Sequence, residues 1–484
     1  MSLERFPRLA SLKTPEAFRA HLSAAGIPLQ FEDVVQPAPA SPLAAPVERA
    51  GLRVGNRFCI LPMEGWDGHT DGTPSELTTR RWQHFGASGA KLIWGGEAVA
   101  VCYEGRANPN QLVLVDETRP ALAALRTALV TEHVNRFGAA AVDDLAIGLQ
   151  LTHSGRFARP TAHDRPEPLA AYAHPLLDRR FPAGVRVLAD DELDALVEAF
   201  VRAARHAREI GFAFVDIKHC HGYLLHELLS ARTRSGRYGG SLENRTRFLR
   251  DTIDAIRAEV PDLGIAVRLS AYDMVPFRKG PLDRGVPDAD PQAYPHAFGL
   301  LRDDVPDPMG EALAEAREVV RMLCGRGVRW ICVTAGSPYY CPHVTRPAAF
   351  PPIDGYEPPE DPLHGVARHI DATARLKAEF PGVVFVGSGY TYLQEWLPNV
   401  AQFNVRQGLT DLVGLGRMVL AYPELPADVL RGAPLRRKSI CRTFSDCTTG
   451  PRKGLVSGCY PLDPFYVTHP DAVRLREVKA AQRT

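Results

Sequence analysis

The chain lacks any apolar run long enough to cross a bilayer, which takes about 18 residues or more with few charges. Its opening residues, MSLERFPRLASLKTPEAF, also lack the apolar core of a secretory leader. Both absences point to a protein of the cytoplasm that works away from membranes. Charge of one sign is missing too: 57 Lys and Arg against 56 Asp and Glu leave a formal net charge of +1, with the signs interspersed. Such a surface offers no electrostatic footprint for nucleic acid or an anionic membrane, so the expected partner is a small molecule. Cysteines are sparse and odd in number, nine in 484 residues. That excludes a secreted disulfide framework and predicts mostly reduced, buried thiols. No GxGxxG follows an apolar run in a strand–turn–helix setting, so a dinucleotide-binding Rossmann domain has no support.

What the chain does have is a rhythm. Short apolar runs, RFCILPM, AKLIWGGEAV, LAIGLQL, FAFVDIKH, GIAVRLS, RWICVTAG, VVFVGSG and DLVGLGR, alternate with longer helical patterns. Runs that are apolar throughout belong to strands buried on both faces, as in a parallel sheet. Between the third and fourth lies DDELDALVEAFVRAARHAREIG, where Leu193, Leu196, Val197, Phe200, Val201 and Ala204 share one helical face. Asp190 or Asp191 is placed to cap this helix and Gly211 to stop it. Eight strands with intervening helices predict an α/β fold, a (β/α)8 TIM barrel, in preference to an open doubly wound sheet; its chemistry sits at the C-terminal ends of the strands. Length permits this as one domain. The stretch PAPASPLAAP, residues 37–46, reads as a linker. The expected division is an N-terminal extension and linker over 1–50, the barrel over 51–435 and a C-terminal tail over 436–484. The insert from Tyr272 to Pro308, rich in proline and charge, reads as a lid or binding loop, with solvated decoration as the alternative.

The most specific text is DIKHCHGYLLHELLSARTRSGRYGGSLENRTRF, residues 216–248. A strand ends in a polar pair, Gly-Tyr-Leu follows, and then come Tyr-Gly-Gly-Ser and Glu-Asn-Arg. This resembles the signature of the Old Yellow Enzyme family. The resemblance continues at other strand ends: Pro62-Met63 after the first strand, Gln150 in the third, Arg268 in the fifth, Gly387-Ser388-Gly389 after the seventh and Gly414-Leu415-Gly416-Arg417 after the eighth. It implies noncovalently bound FMN, with NADH or NADPH as co-substrate.

The residues can also be read on their own chemistry. Barrels of this kind often hold phosphate in the loops after strands seven and eight, where glycines let backbone NH groups approach. Gly389, Gly416 and Arg417 suit that role, the guanidinium supplying a planar fork; tight turns alone are the alternative. Gln150 and Arg268 stand in strands where a plain core would place aliphatics, so each needs a polar partner. By resemblance, the glutamine meets the flavin pyrimidine edge and the arginine its N1–C2 carbonyl region; a structural ion pair is the alternative for Arg268. Pro62, Met63, Glu64, Ala98 and Ser388 complete the implied cofactor contacts. Tyr223 matches the family's proton donor, a phenol that is protonated at neutral pH. A packed aromatic is its alternative.

The chain departs from the family in four places, one of which, Gly236 in place of the usual aspartate before Tyr-Gly-Gly, reads as a loop difference. Where enone-reducing members carry His-x-x-His or His-x-x-Asn to hold the substrate carbonyl, this chain has Lys218 and His221. An ammonium also stabilises an oxyanion, and it favours a carboxylate, an enolate or a Schiff base over a neutral ketone. The alternative leaves Lys218 in a salt bridge and His221 as sole anchor. Glu64 stands where relatives commonly place threonine or cysteine near the flavin N5 and O4 edge; it alters the flavin potential or pairs with Lys218. In the tail, Cys441, Cys447 and Cys459 resemble the region that binds a 4Fe-4S cluster in the 2,4-dienoyl-CoA reductase and trimethylamine dehydrogenase branch. The close C-x2-C-x3-C opening is absent, so the expectation is a degenerate site without a working cluster, zinc being a second option. Three functions follow: NAD(P)H-driven reduction of an activated alkene, a dehydrogenase or demethylase feeding an external acceptor, or a flavin-free hydrolase or lyase using Glu64, Lys218 and His221. Homo-oligomerisation stays open.

Overall fold

The structure, a computed structural model, describes residues 6–481. Eight strands form the barrel: β1 Phe58–Ile60, β2 Leu92–Ile93, β3 Ala146–Thr152, β4 Phe214–Ile217, β5 Gly264–Ser270, β6 Trp330–Thr334, β7 Val384–Gly387 and β8 Leu412–Leu415. Each pairs in parallel with the next, and Leu415 opposite Ile60 closes β8 onto β1. The helices outside are α1 Glu76–Gly86, α2 Arg119–Phe137, α3 Asp190–Ile210, α4 Arg247–Glu259, α5 Ala314–Gly325, α6 Pro362–Glu379, α7 Leu397–Arg406 and α8 Leu425–Leu430.

Side-chain alternation explains why the strands read as unbroken apolar runs. Cys59, Leu92, Ala146, Phe214, Ala266, Cys332, Val386 and Leu412 fill the barrel interior. Their neighbours Ile60, Ile93, Ile147, Val215, Val267, Ile331, Phe385 and Val413 pack outward in the core beneath the helices. The hairpin Val47–Arg49 with Leu52–Val54 lies under the N-terminal end and contributes Val54 to the interior. At the other end the inward register continues into Gln150, Asp216, Arg268 and Ser388, and the core turns polar there.

The six apolar residues expected on one face of α3 are all buried, and Gly211 ends the helix. The capping expectation is corrected. Ala189 is the N-cap, its N–H donating to the Glu192 carboxylate at 2.9 Å. Asp190 instead accepts from Arg234 Nη2 at 2.6 Å and the Arg237 N–H at 2.7 Å. It ties α3 to the Tyr-Gly-Gly-Ser loop, where two donors outcompete a helix end.

The N-terminal extension is part of the barrel's packing. Phe18 is fully buried and stacks on Trp396 with ring centroids 4.8 Å apart. The proline-rich segment is not a free linker: the Ala38 N–H donates to the Leu430 carbonyl at 2.8 Å and the Arg57 N–H to that of Leu43 at 2.9 Å. Phe18→Ala should therefore cost about 3–5 kcal/mol of stability, the range for a buried phenylalanine. Denaturant unfolding measures it, and a loss under about 1 kcal/mol would mean that the extension is dispensable.

The tail crosses the barrel mouth. Ile440 and Cys441 enter the main core, Ser457 accepts the Trp66 N–H at 2.8 Å, and Asp463 forms two hydrogen bonds with Arg80. All nine cysteines are free thiols and six are buried. Among the described residues, no group of three or more His, Cys, Asp and Glu is arranged to hold a metal, and no helix is long and apolar enough to cross a membrane. The reading of the 272–308 insert as a lid is corrected. It forms a hairpin of Phe277–Lys279 with Gly285–Pro287, and Tyr294 bonds His174 at 2.7 Å. None of its residues lines the cavity at the mouth.

Candidate active site

A cavity of about 270 Å³ opens at the C-terminal ends of the strands, and all thirteen residues singled out in the sequence line it. The loop after β1 brings Pro62, Met63 and Glu64. Ala98 comes from a short strand paired to β3, where Gln150 stands, and Arg268 from β5. Lys218, His221 and Tyr223 follow β4, Ser388 and Gly389 follow β7, and Gly416 and Arg417 follow β8. The chain turns sharply between Lys218 and Tyr223. His221 and Gly222 both adopt positive φ, +70° and +76°, and a Cβ at Gly222 would meet the Ser337 hydroxyl at 2.7 Å. Only glycine fits the second position.

One end of the cavity is held by Asp216, which sequence reasoning missed. Its carboxylate accepts from Trp94 Nε1 at 2.7 Å, Gln150 Nε2 at 2.6 Å and the Arg268 N–H at 2.6 Å. Because the carboxylate takes the amide NH2, Gln150 is left with its carbonyl oxygen as a spare acceptor. The Arg268 guanidinium bonds the Pro62 carbonyl at 3.3 Å, and its buried Nε has no partner among the described residues. The structural ion pair considered for Arg268 is absent among the described salt bridges. An acceptor beside spare donors suits the edge of a flavin pyrimidine.

At another end Arg417 gives Nη2 to the Pro347 carbonyl at 2.8 Å, while its buried Nη1 has no partner among the described residues. Beside it stands Arg346, hydrogen-bonded to the Thr448 hydroxyl. Desolvation and the adjacent Arg417 charge pull the Arg346 pKa down. Among the described residues no carboxylate pairs with either arginine. Two cations that repel one another without a counter-charge leave a place for a dianion. A Cβ on Gly416 would meet nothing within 4 Å, so the backbone there faces open space. These groups fit a flavin phosphate. Arg417→Gln should weaken FMN binding about 10- to 100-fold, the worth of one charged hydrogen-bonding group. Flavin titration of the stripped protein reads this, and unchanged affinity would remove Arg417 from the phosphate site.

A third cluster in the cavity brings together Glu64, Lys218, His221 and Tyr223. The Tyr223 hydroxyl donates to Glu64 Oε2 and lies 2.8 Å from the Tyr339 hydroxyl; Trp66 Nε1 holds Glu64 Oε1 at 3.1 Å. Tyr339 is kept in place by stacking on Phe157 at 4.0 Å. The Lys218 ammonium sits 3.9 Å from the centre of the Tyr223 ring, a cation–π contact. It makes no hydrogen bond or ion pair to another side chain among the described residues, so neither the Glu64 pairing nor the salt-bridge alternative is present. Burial lowers the Lys218 pKa, and the Cys220 thiol and Glu64 oppose that shift. Burial, then the charges of Arg268 and Lys218, hold His221 well below its ordinary value, as a neutral imidazole. Its Nε2 lies 3.4 Å from the Thr334 hydroxyl. Burial raises the Glu64 and Tyr223 pKa values.

Sequence reasoning also missed Trp66, Tyr339 and Arg346, and the tail residues Thr448, Arg452 and Ser457 that line the same cavity. Asp216 could have been found, since it lies in the inward register of an apolar strand as Gln150 and Arg268 do. Trp66, Tyr339, Arg346 and Ser457 sit in irregular segments that carry no periodic signal, and Thr448 and Arg452 on a helix of seven residues, Asp446–Arg452, too short to show one.

Comparison with known proteins agrees with this architecture. An NADPH dehydrogenase of Geobacillus sp. (strain WCH70) is 34% identical over 245 residues, 48% of this chain and 64% of that protein. The chain thus matches just under two thirds of that relative's length. Among solved structures, histamine dehydrogenase from Rhizobium sp. 4-9 superposes with a TM-score of 0.61 at 23% identity, covering 88% of this chain and 52% of that one. The Old Yellow Enzyme homologue from Zymomonas mobilis gives 0.55 at 20%, covering 82% and 94%. At those identities the likeness is one of fold. The sequence profile of the NADH:flavin oxidoreductase / NADH oxidase family matches residues 42–290, just over half of the chain and including the segment that carries Lys218, His221 and Tyr223. This protein belongs to that family, the one with the Old Yellow Enzyme fold and signature.

Proposed function

We propose that the chain is an FMN-dependent oxidoreductase, driven by NADH or NADPH, that reduces an activated alkene of the enone or enoate type in ping-pong fashion. The observation that carries this reading is the single cavity that combines a dianion site and a pyrimidine-edge site with a phenol and a free ammonium. The dianion site is Arg346 and Arg417 with the backbone at Gly389 and Gly416; Gln150 and Arg268 make the other. FMN, when bound, accepts hydride from the nicotinamide and passes it to the electron-poor alkene. The chain does the rest. Pro62, Met63 and Ala98 wall the cavity, Lys218 and neutral His221 bear the negative charge that develops on the substrate, and Tyr223 supplies a proton to the carbon next to the one reduced. Residues 51–435 form the flavin-binding body, and the tail from 436 roofs its cavity.

A dehydrogenase that passes electrons to an external acceptor is the second reading. The Lys218–His221 pair favours it, since an ammonium is not the usual anchor of a neutral enone. The test is anaerobic. Purified protein should release FMN on denaturation, bleach with NADH or NADPH and regain its colour with a carboxylated, CoA-linked or simple enone. Bleaching by an amine with no response to nicotinamide would favour the second reading. Colourless protein that cannot take up FMN would sink both.

A further inference from the structure

The Tyr223 proton has a neighbour that the proposed reaction does not yet use. Glu64 reaches the phenol from the loop after β1, across the barrel mouth from β4, and its other oxygen is fixed by Trp66 Nε1 at 3.1 Å. The phenol oxygen also has the Tyr339 hydroxyl at 2.8 Å and the Lys218 ammonium over its ring at 3.9 Å. The carboxyl is therefore hydrogen-bonded to the one acid the reaction needs, inside a cavity and, among the described residues, with no ion pair to hold it ionised.

We infer that Glu64 is a positioning and proton-supplying residue for Tyr223, acting in its protonated form and not as a contact to the flavin edge. The inference rests on the proposed alkene reduction and adds to it the source of the proton. With Glu64 ionised, the phenol proton is committed to the carboxylate, and a phenolate would form beside a second negative charge. With Glu64 protonated, its O–H donates to the phenol oxygen, and the Tyr223 proton is free to point at substrate. In the step itself the Tyr223 O–H bond breaks and a C–H bond forms on substrate, while hydride arrives at the neighbouring carbon from the reduced cofactor that NADH or NADPH supplies. The Glu64 O–H then breaks and re-forms the phenol, leaving a carboxylate that takes a proton from water before the next turnover. Lys218, above the ring, offsets the transient charge on whichever oxygen bears it. The groups that face Glu64 are Lys218, Tyr223, Tyr339 and, from the tail, Arg452. Burial is the largest influence on the carboxyl and favours its neutral form, while Lys218, Tyr223, Trp66 and Arg452 act against it.

Glu64→Gln keeps the shape, the acceptor for Trp66 and an N–H donor for Tyr223, but carries no proton to give. Two measurements on the flavin-loaded protein test the inference. Infrared pH titration should show a carboxylic acid that stays protonated well above the ordinary carboxylate range, that is lost in Glu64→Gln, and whose titration moves to still higher pH in Tyr223→Phe. In stopped flow, the oxidative half-reaction of the wild type should fall as pH rises through that titration. Glu64→Gln should be slower by roughly 100-fold, within the range for proton transfer by a placed side chain, and flat over the same window. A Glu64 that titrates as an ordinary carboxylate, or a Glu64→Gln variant that keeps the wild-type rate and pH profile, overturns the inference. The infrared arm needs no substrate, so it decides the Glu64–Tyr223 coupling even if none of the alkenes is turned over, a result that would fall on the proposed function alone.

Discussion

Tyr223→Phe should slow reoxidation of the reduced protein by alkene about 10²- to 10⁴-fold, the contribution expected of a positioned general acid, while FMN content and reduction by nicotinamide stay near wild type. Phenylalanine keeps the ring that Lys218 caps at 3.9 Å and the packing of a residue that is 3% exposed. It removes only the hydroxyl, leaving Glu64 and Tyr339 each short of a partner. That loss should cost about 1–3 kcal/mol of stability, too little to unfold a domain of this size. Single-turnover stopped flow separates the two half-reactions. An unchanged oxidative rate would show that the proton comes from another donor, Glu64 and Tyr339 being the two groups hydrogen-bonded to that phenol. Equal slowing of both halves would mean that the substitution had disturbed the flavin itself.

The second large effect is expected at Lys218. Lys218→Met preserves length and apolar volume and deletes the ammonium. If that charge stabilises negative charge on the substrate, the oxidative half-reaction should slow about 100-fold or more, as when one preorganised oxyanion donor is lost. FMN binding should change little, because neither Gln150 and Arg268 nor the Arg346–Arg417 pair contacts Lys218 through a hydrogen bond. A second readout has a definite sign. Lys218 lowers the Glu64 pKa, so its removal raises that pKa, and the fall of rate with alkaline pH should move to higher pH. Loss of flavin in step with loss of activity would assign Lys218 to cofactor binding or folding. A full oxidative rate would leave His221 as the sole anchor.

The barrel and most of its site were legible because strand chemistry is periodic. Eight apolar runs gave eight strands at the expected places, and the inward parity that places Cys59, Ala266 and Leu412 in the core also places Gln150, Arg268, Ser388 and Gly416 toward the axis. A polar residue at such a position stands out against aliphatic neighbours. Asp216 obeys the same rule, but the polar residues that follow it, Lys218, His219 and His221, mask the inward parity of its strand.

By itself the sequence determined the fold class, and it placed Lys218, Tyr223 and Arg417 at the strand ends whose residues line the cavity. Local pattern suffices for these, since each depends on a residue's place within its own strand or turn. The tertiary structure alone decided the pairings. Glu64 bonds Tyr223, 159 positions away, not Lys218; Arg346 stands beside Arg417; Asp190 anchors a loop and does not cap a helix. The segment 37–46 is fastened and does not tether, and the tail lines the cavity while the long insert stays outside it. Such contacts join residues far apart in the chain, and their energies depend on which groups lose water together, a quantity that spacing along a sequence does not contain.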